Sequence, residues 1–287
     1  MRDENGGFYT AEDADSEGVE GRFYLWKSQE IQDVLSAEEE KLVTLYFNLK
    51  QNGNYQGEDS GENTLYLTAD LSEVAKKMDI LPQKAEELLR SSREKLYSIR
   101  ERRVRPHKDD KILTDWNGLL LAALAKGARV LKERRWRETA EKTAGFFLSE
   151  MRRAEGGLWH RYRKGKAGIP GFLEDYAFFI YGLLELYETT FETKYLTAAL
   201  DLNAFLRRYF LDEEKGGFFQ LSTQSEEVLV RKKEVYDGAL PSGNSVMALN
   251  LLRLSRFTGD NFFLEEAQRI FRAFSALVLT SPANHTQ

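Results

Sequence analysis

Hydrophobic and polar positions follow a long-range pattern through the last two thirds of the chain. Three nearly continuous apolar runs begin beside Asp115, Asp175 and Asp237. A helix that is apolar all round is buried on every side, so each run predicts an inner helix. An amphipathic segment follows each run and predicts an outer helix that faces solvent. These amphipathic segments cover residues 135–153, 194–211 and 261–279.

The order of these elements recurs with a period of about 60 residues. The three aspartates stand 60 and 62 positions apart, and the motifs Gly156-Gly157 and Gly216-Gly217 repeat in phase with them. Short breaks between the paired helices favour antiparallel hairpins. The pattern therefore predicts an all-α fold, an α/α toroid of stacked helical hairpins. The hairpins are expected at about residues 115–153, 174–211 and 237–279, with small β-hairpins at one rim, at residues 160–165 and 220–230.

The first 110 residues are less regular. They predict helices at residues 29–48, 71–78 and 82–103, and a polar, glycine-rich loop at residues 51–62. We expect residues 1–110 to form the N-terminal portion of the toroid and residues 111–287 to hold three repeats of the same domain. A closed ring of six such hairpins needs roughly 360 residues. The toroid is therefore expected to be incomplete in this chain.

Composition excludes several functional classes. The 287 residues are 42% hydrophobic, carry a net charge of −5 and include no cysteine. Disulfides, thiolate catalysis and cysteine-type zinc sites are therefore excluded, and the mixed charges argue against nucleic-acid binding. Residues 1–5 are polar and no apolar run approaches the ~18 residues of a membrane span, so we expect neither a secretory signal nor a membrane segment. We expect a cytoplasmic protein with no cofactor and no metal.

The acidic residues at the starts of the apolar runs are candidate site residues. Any one of them has an ordinary explanation as a helix cap. Three in phase suggest more, because a toroid places all inner-helix N-termini around one funnel. Carboxylates beside aromatic rings in a concave site are typical of carbohydrate binding and acid/base chemistry. The candidates are Asp175 and Asp237, then Asp115 and Glu174, for catalysis, and Trp116, Tyr176 and Asn244 for substrate binding.

A second candidate group lies just ahead of the first inner helix, in the segment Arg105-Pro106-His107-Lys108-Asp109-Asp110-Lys111. The imidazole of His107 titrates near neutral pH and could act as a general acid or base. Arg105, Asp109 and Asp110 would then bind substrate. A surface loop with ordinary ion pairs explains the segment equally well. His160, on the predicted rim hairpin, is a weaker candidate.

Five motifs, in order along nearly the whole chain, carry a specific resemblance to a known family. The sequence resembles the thioredoxin-domain-containing proteins of the YyaL type, which are related to the mammalian spermatogenesis-associated protein 20 family. The motifs are Gly6-Gly7-Phe8-Tyr9-Thr10-Ala11-Glu12-Asp13-Ala14-Asp15-Ser16-Glu17-Gly18, Arg105-Pro106-His107-Lys108-Asp109-Asp110-Lys111, Thr114-Asp115-Trp116-Asn117-Gly118, Gly171-Phe172-Leu173-Glu174-Asp175-Tyr176-Ala177-Phe178 and Asp237-Gly238-Ala239-Leu240-Pro241-Ser242-Gly243-Asn244-Ser245.

The resemblance implies a thioredoxin-like domain followed by a six-hairpin toroid, of which this chain is expected to hold the toroid portion alone. Such toroids are similar to those of N-acylglucosamine 2-epimerases and six-hairpin glycosidases. Epimerase chemistry would use a pair of bases, commonly histidines, and this chain offers His107 and His160. Hydrolase chemistry needs two carboxylates, for which the acidic candidates above are available without a preferred pairing.

Three functions remain open at this point. The first is an enzyme of carbohydrate metabolism, a hydrolase or an epimerase, that uses the funnel carboxylates on a carbohydrate or polyol. The second is a non-catalytic binding or scaffold module. Its partner would be a thioredoxin-like domain or further toroid hairpins on another chain. The third is a truncated remnant without an intact site. No nucleic-acid or membrane partner is expected.

Overall fold

The computed structural model describes residues 1–56, 61–225 and 229–285. It divides into two compact units: the hairpin unit, Met1–Ala11 with Asp110–Gln287, and the small unit, Glu12–Asp109. The fold is mostly helical with small sheets, which confirms the predicted class. Within the described ranges, no helix is long and apolar enough to cross a membrane.

Six helices form three antiparallel pairs in the hairpin unit. In chain order they are α5 (Thr114–Leu131) with α6 (Arg134–Glu150), α7 (Leu173–Thr190) with α8 (Thr193–Phe210), and α9 (Gly243–Thr258) with α10 (Asn261–Thr280). A short 3-10 turn, Pro282–Asn284, follows. The repeats expected at about residues 115–153, 174–211 and 237–279 have α5, α7 and α9 as their inner helices, and the largest difference from the expected start is at α9. That helix begins at Gly243 with Ser242 as its cap, so Asp237 lies in the segment before it.

The three inner helices lie side by side, with α7 between α5 and α9. Most of α7 is buried, because it has an inner neighbour on both sides. Glycines allow α5 and α7 to approach closely: a Cβ on Gly118 would lie 2.5 Å from the carbonyl carbon of Phe178, and one on Gly182 would lie 2.7 Å from the oxygen of Gly118. On the other side, the buried amide of Asn250 donates to the carbonyl of Ala177 over 2.8 Å.

An ion-pair cluster joins the same three helices further along. Glu185, which is buried on α7, lies 3.0 Å from Arg129 of α5 and 3.1 Å from Arg253 of α9. Both arginines also contact Glu188, at 2.8 and 2.7 Å. Each guanidinium thus spans two carboxylates one helical turn apart. The cluster clamps the inner helices at the end opposite their N-termini.

The three Gly-Gly motifs form equivalent turns, each bound by a side chain from the first turn of an inner helix. Phe8 follows the first motif and exchanges two backbone hydrogen bonds with the amide of Asn117. Phe218 follows the third and is bound in the same way by Asn244. Leu158 follows the second, and its N–H donates to the hydroxyl of Tyr176 over 2.9 Å. The repeat in sequence is therefore a repeat in structure.

A three-stranded antiparallel sheet covers the start of α5. Its strands are β7 (Ile112–Leu113), β8 (Trp159–Arg163) and β9 (Lys166–Pro170), in that spatial order. Strands β8 and β9 are the first predicted rim hairpin. The second, at residues 220–230, has no strand in residues 220–225 or 229–230, and residues 226–228 lie outside the described part. Next to this segment, the guanidinium of Arg231 donates hydrogen bonds to the backbone carbonyls of Leu221 and Tyr209. The backbone carbonyl of Leu221 is therefore bound by a side chain and not by a paired strand.

In residues 12–56 and 61–109, the small unit has four helices, several two-residue strands and two separate apolar clusters. Its helices are α1 (Ser28–Val34), α2 (Ala37–Tyr46), α3 (Leu71–Met78) and α4 (Pro82–Arg100). Its strands are β2 (Asp15–Ser16), β3 (Val19–Glu20), β4 (Trp26–Lys27), β5 (Glu62–Asn63) and β6 (Lys108–Asp109), while β1 (Ala11–Glu12) spans the boundary between the units. The first cluster centres on Trp26, Ile31 and Leu96, and the second on Leu42 and Val74. Ser36 caps α2 and divides the single helix predicted for residues 29–48.

Candidate active site at the inner-helix N-termini

Three titratable side chains meet where α5, α7 and β8 come together. Asp115 is the second residue of α5, Asp175 is the third residue of α7, and His160 lies on β8. Their ligand-type atoms all lie within 4.8 Å of one another. Hairpin geometry explains the convergence, because neighbouring inner helices start at the same rim and the β-strand crosses above them.

Asp175 is the most constrained member of the group, since it is fully buried. Its Oδ1 accepts from the N–H of Asp115 at 3.0 Å and its Oδ2 from the N–H of Phe172 at 2.7 Å. Nδ1 of His160 lies 3.0 Å from both oxygens. Burial raises the pKa of Asp175, against the opposing effect of these donors. The predicted capping role is real, because Phe172 is the N-cap residue of α7.

This environment makes Asp175 a positioning residue for His160. A carboxylate that is bonded to Nδ1 fixes the tautomer and orientation of the ring and leaves Nε2 to act. Within the described chain, no hydrogen bond to Nε2 is present, and about a fifth of the His160 side chain is exposed. Burial lowers the pKa of His160, but the hydrogen bond and the charge of Asp175 outweigh it and give a raised value. Asp175 itself cannot touch a substrate, contrary to the acid/base role predicted for it.

Asp115 is the second titratable group of the cluster with access to solvent. It is partly exposed, and its Oδ1 accepts from the N–H of Trp116 at 2.8 Å. Burial, reinforced by the charge of Asp175, raises its pKa from 3.8 to about 6. A carboxyl with such a pKa exchanges its proton near neutral pH, which suits a general acid or base.

Glu174 lies on the side of the site that faces α9. Its Oε1 would lie 3.2 Å from a Cβ on Gly243, the first residue of that helix, and it also accepts a hydrogen bond from the Gly243 backbone. Burial raises the pKa of Glu174, and nearby Asp175 adds to the effect. The site thus holds three carboxyl groups with raised pKa values beside one histidine.

The aromatic and amide candidates differ in their access to solvent. Trp116 is 45% exposed next to Asp115 and offers a ring face to a ligand. Tyr176 is buried, with its ring stacked on Phe205 at 5.4 Å, so the predicted platform is part of the core. Asn244 is also buried, and all of its amide hydrogen bonds go to the backbone of the loop before α9. Its predicted substrate contact is replaced by a structural one.

Asp237 is not part of the cluster that Asp115, His160 and Asp175 form. Its Oδ1 accepts from the N–H of Ser242 at 2.8 Å, and its own N–H donates to the carbonyl of Asn284. The extra residues between Asp237 and α9 shift it out of the position that Asp115 and Asp175 occupy. Its catalytic role therefore has no geometric support, and its visible role is to order the turn before α9.

The residues of the second predicted group fall in different units. Asp110 belongs to the hairpin unit and is paired with Arg163, whose hydrogen bond lowers the pKa of the aspartate. Arg105, His107 and Asp109 belong to the small unit. There, Arg105 forms an ion pair with Glu101, the residue that follows α4, and His107 is exposed. The proposal that they bind the same substrate remains a prediction.

Asp115, His160 and Asp175 could also be considered as metal ligands, since their atoms are close enough to share an ion. Both oxygens of Asp175 already accept two hydrogen bonds each. A cation would therefore have to displace His160 from Asp175. The donor set fits a proton-transfer group better than it fits a metal centre.

His160 is the residue that sequence reasoning undervalued. Its signal was present, since it follows a Gly-Gly motif and lies 15 positions before Asp175. Helical periodicity gives no information on a strand residue, and only the strand register places His160 above the helix ends.

Solved structures of similar shape define the class of fold. The α-mannanase BT2949 of Bacteroides thetaiotaomicron superposes with a TM-score of 0.50 at 19% identity, over 61% of this chain and 48% of that chain. Cellobiose 2-epimerase from Bacillus thermoamylovorans gives 0.51 at 19%, over 60% and 46%. A sugar epimerase from a ruminal bacterium gives 0.50 at 14%, over 89% and 56%. The chain therefore has part of the six-hairpin α/α toroid fold.

Sequence comparison then identifies the relatives. Human spermatogenesis-associated protein 20 is 36% identical over 94% of this chain and 38% of its own length. An uncharacterised protein of Caenorhabditis elegans is 33% identical over 97% of this chain and 41% of its own length. No protein-family model matches. The predicted resemblance is confirmed: the chain is a homologue of spermatogenesis-associated protein 20, and it spans about two fifths of the length of these relatives.

Proposed function

We propose that the hairpin unit carries a proton-transfer site for a sugar or a related polyol, of the isomerase or epimerase kind. The observation that carries the proposal is the geometry of His160, whose Nδ1 lies 3.0 Å from both oxygens of a fully buried Asp175. The partly exposed carboxyl of Asp115 lies beside it, with a pKa raised to about 6. Such chemistry requires a base and an acid that exchange protons with the substrate, and His160 and Asp115 would be these two groups.

Each group has a defined role in this proposal. Nε2 of His160 takes the proton from the carbon next to the sugar carbonyl, and the C–H electron pair forms an enediol. The protonated Asp115 donates its proton to the carbonyl oxygen as the charge develops there. The protonated His160 then gives its proton to the former carbonyl carbon while the second enediol hydroxyl returns a proton to Asp115, which gives the isomer. Protonation of the original carbon by water on its opposite face, with the first hydroxyl returning its proton to Asp115 and His160 losing its proton to solvent, gives the epimer. Trp116 supplies a ring for the sugar face, and Asp175 holds His160 in place.

Hydrolysis fits the site less well. It needs two reacting carboxyl groups, about 5–5.5 Å or 6.5–9.5 Å apart, both of which reach the substrate. Asp175 is buried and engaged by three donors, so it can neither attack a sugar nor activate water. Asp115 and Glu174 are then the carboxyl pair left for hydrolysis, and Glu174 already accepts a hydrogen bond from the backbone of Gly243. The mannanase among the similar structures therefore supports the fold, while the named epimerases fit the chemistry proposed here.

A binding module is the second candidate, and a specific observation favours it. Asp175 and Asp237 are both bonded to backbone N–H groups, as purely structural carboxylates would be. Phe271, Leu277 and Leu279 on α10 are more than half exposed, a surface that suits a partner. That partner would be a thioredoxin-like domain or further toroid hairpins on another chain, as the length of the relatives suggests.

Deuterium exchange separates the two candidates. The chain is incubated in D2O with a panel of aldoses, ketoses and reducing disaccharides, and proton NMR follows the signal of the C2 hydrogen. We expect loss of this signal with at least one sugar, and much slower loss in His160→Gln and Asp115→Asn. His285→Gln is the control for loss of a histidine outside the site. Sugar binding without exchange would support the binding module and overturn the catalytic proposal, as would equal exchange in His160→Gln.

A further inference from the structure

A groove in the small unit is lined by residues other than those of the proposed proton-transfer site. It runs between the two apolar clusters of that unit, which meet without merging. The first cluster contributes Trp26, Phe47, Leu65 and Leu96 to its lining, and the second contributes Leu71 and Leu89. Its volume is about 580 Å³, which is within the range of small-molecule sites. Trp26 and Leu96 are already buried, whereas Phe47, Leu65, Leu71 and Leu89 are half-buried, so an apolar occupant would gain contacts with these four side chains.

One face of α4 supplies the polar rim of the groove. Arg90, Arg93, Tyr97 and Arg100 follow one another at three- and four-residue intervals, which places them on one side of the helix. Throughout the described ranges, none of these three arginines forms an ion pair within 4.0 Å. Arg90 and Arg93 are exposed and Arg100 is half-buried, so their guanidinium groups can bind a carboxylate that enters from solvent.

Arg100 gives an independent sign of a missing acceptor. Its Nε is buried, and no hydrogen-bond partner for it exists in the described structure. Its guanidinium is held beside the rings of Phe23 and Tyr97, at 5.7 and 5.5 Å from their centroids. These contacts fix the orientation of the group without satisfying its donor. A buried donor in a fixed position and without an acceptor calls for an explanation.

The charges on the rim limit the kind of anion that fits. Glu86 and Glu94 also line the groove, so its charged residues are three positive and two negative. This balance suits one negative charge and disfavours a phosphate or a polyanion. We propose that the groove binds an apolar monocarboxylate, with its chain on Phe47, Leu65, Leu71 and Leu89 and its carboxylate at Arg93 and Arg100.

Calorimetric titration of the full chain tests the proposal. The probes are decanoate, decanol and decyltrimethylammonium, all below their micellar concentrations. We expect decanoate to bind about tenfold more tightly than decanol, and the cation to bind most weakly. Arg93→Gln and Arg100→Gln should each weaken decanoate binding about fivefold or more and leave decanol unchanged. Lys84→Gln, on the exposed first turn of the same helix, should behave as the parent chain.

Circular dichroism of each variant checks that the helices remain. Equal binding of decanoate and decanol, equal binding of decanoate by the parent and both arginine variants, or no binding at millimolar decanoate would each overturn the proposal. Light scattering of the same proteins tests the alternative occupant of the groove, a second copy of the chain. The proposal of a carboxylate ligand would be overturned if the parent chain does not bind decanoate but self-associates, and both arginine variants lose this self-association. The groove would then be assigned to a second copy of the chain.

Discussion

Replacing Asp115 by asparagine should change how the stability of the protein responds to pH. Burial beside Asp175 raises the pKa of Asp115 from 3.8 to about 6. Between about pH 4 and about pH 6, the folded chain therefore holds a proton that the unfolded chain has lost. The contribution of Asp115 to the free energy of unfolding therefore falls as pH rises through this window. A shift of two pKa units corresponds to roughly 3 kcal/mol.

Asparagine keeps the size of the side chain and an oxygen for the N–H of Trp116, but it does not titrate. The stability of Asp115→Asn relative to the parent should therefore rise by roughly 3 kcal/mol between about pH 4 and about pH 7. Urea unfolding followed by circular dichroism at half-unit pH steps measures this difference. Asp201→Asn, on the exposed face of α8, is the control for loss of a carboxylate as such. Parallel pH profiles of parent and Asp115→Asn would refute the raised pKa and, with it, the role of Asp115 as a proton donor.

Three further predictions concern the site and the helices below it. NMR titration should give His160 a pKa above its ordinary value. Asp175→Asn should lower that pKa, because it removes the charge and the hydrogen bond that favour the protonated ring. An unchanged pKa of His160 in this variant would contradict the pairing of His160 with Asp175. Gly118→Ala should cost about 1–3 kcal/mol or more by forcing α5 from α7, whereas Gly145→Ala on α6, with open space around it, should be neutral or stabilising. Glu185→Gln should cost about 3 kcal/mol in urea unfolding, because two arginines lose their shared buried partner; a loss within experimental error would show that the clamp is dispensable.

The spacing of the aspartates in the sequence repeat predicts only part of the candidate site. Asp115 and Asp175 stand 60 residues apart and do meet, because both lie within the first turn of adjacent inner helices. Asp237 continues the spacing, but the loop before α9 is longer and the helix begins at Gly243. Sequence distance alone cannot separate a residue in the helix from one in the loop before it. The third acid on the helix ends is Glu174, which reaches toward α9 from α7.

Residue chemistry alone also left the roles of the aromatic and amide candidates open. Tyr176 and Trp116 follow the corresponding aspartates in the same way, yet one is buried and the other exposed. The difference arises because α7 has inner neighbours on both sides, whereas α5 has one. Asn117 and Asn244 show the converse case, in which an attractive polar residue holds a loop by its backbone.

Apolar periodicity and the recurrence of acidic and Gly-Gly motifs were enough to determine the helical hairpins, their order and the family resemblance, because these depend on local pattern. The tertiary structure alone decided which polar groups meet. His160 reaches Asp175 through the register of a short sheet, and the pKa values of Asp115 and His160 depend on burial that no local pattern encodes. Burial and distance are properties of segments brought together from far apart in the chain, and the electrostatics of the site follow from them.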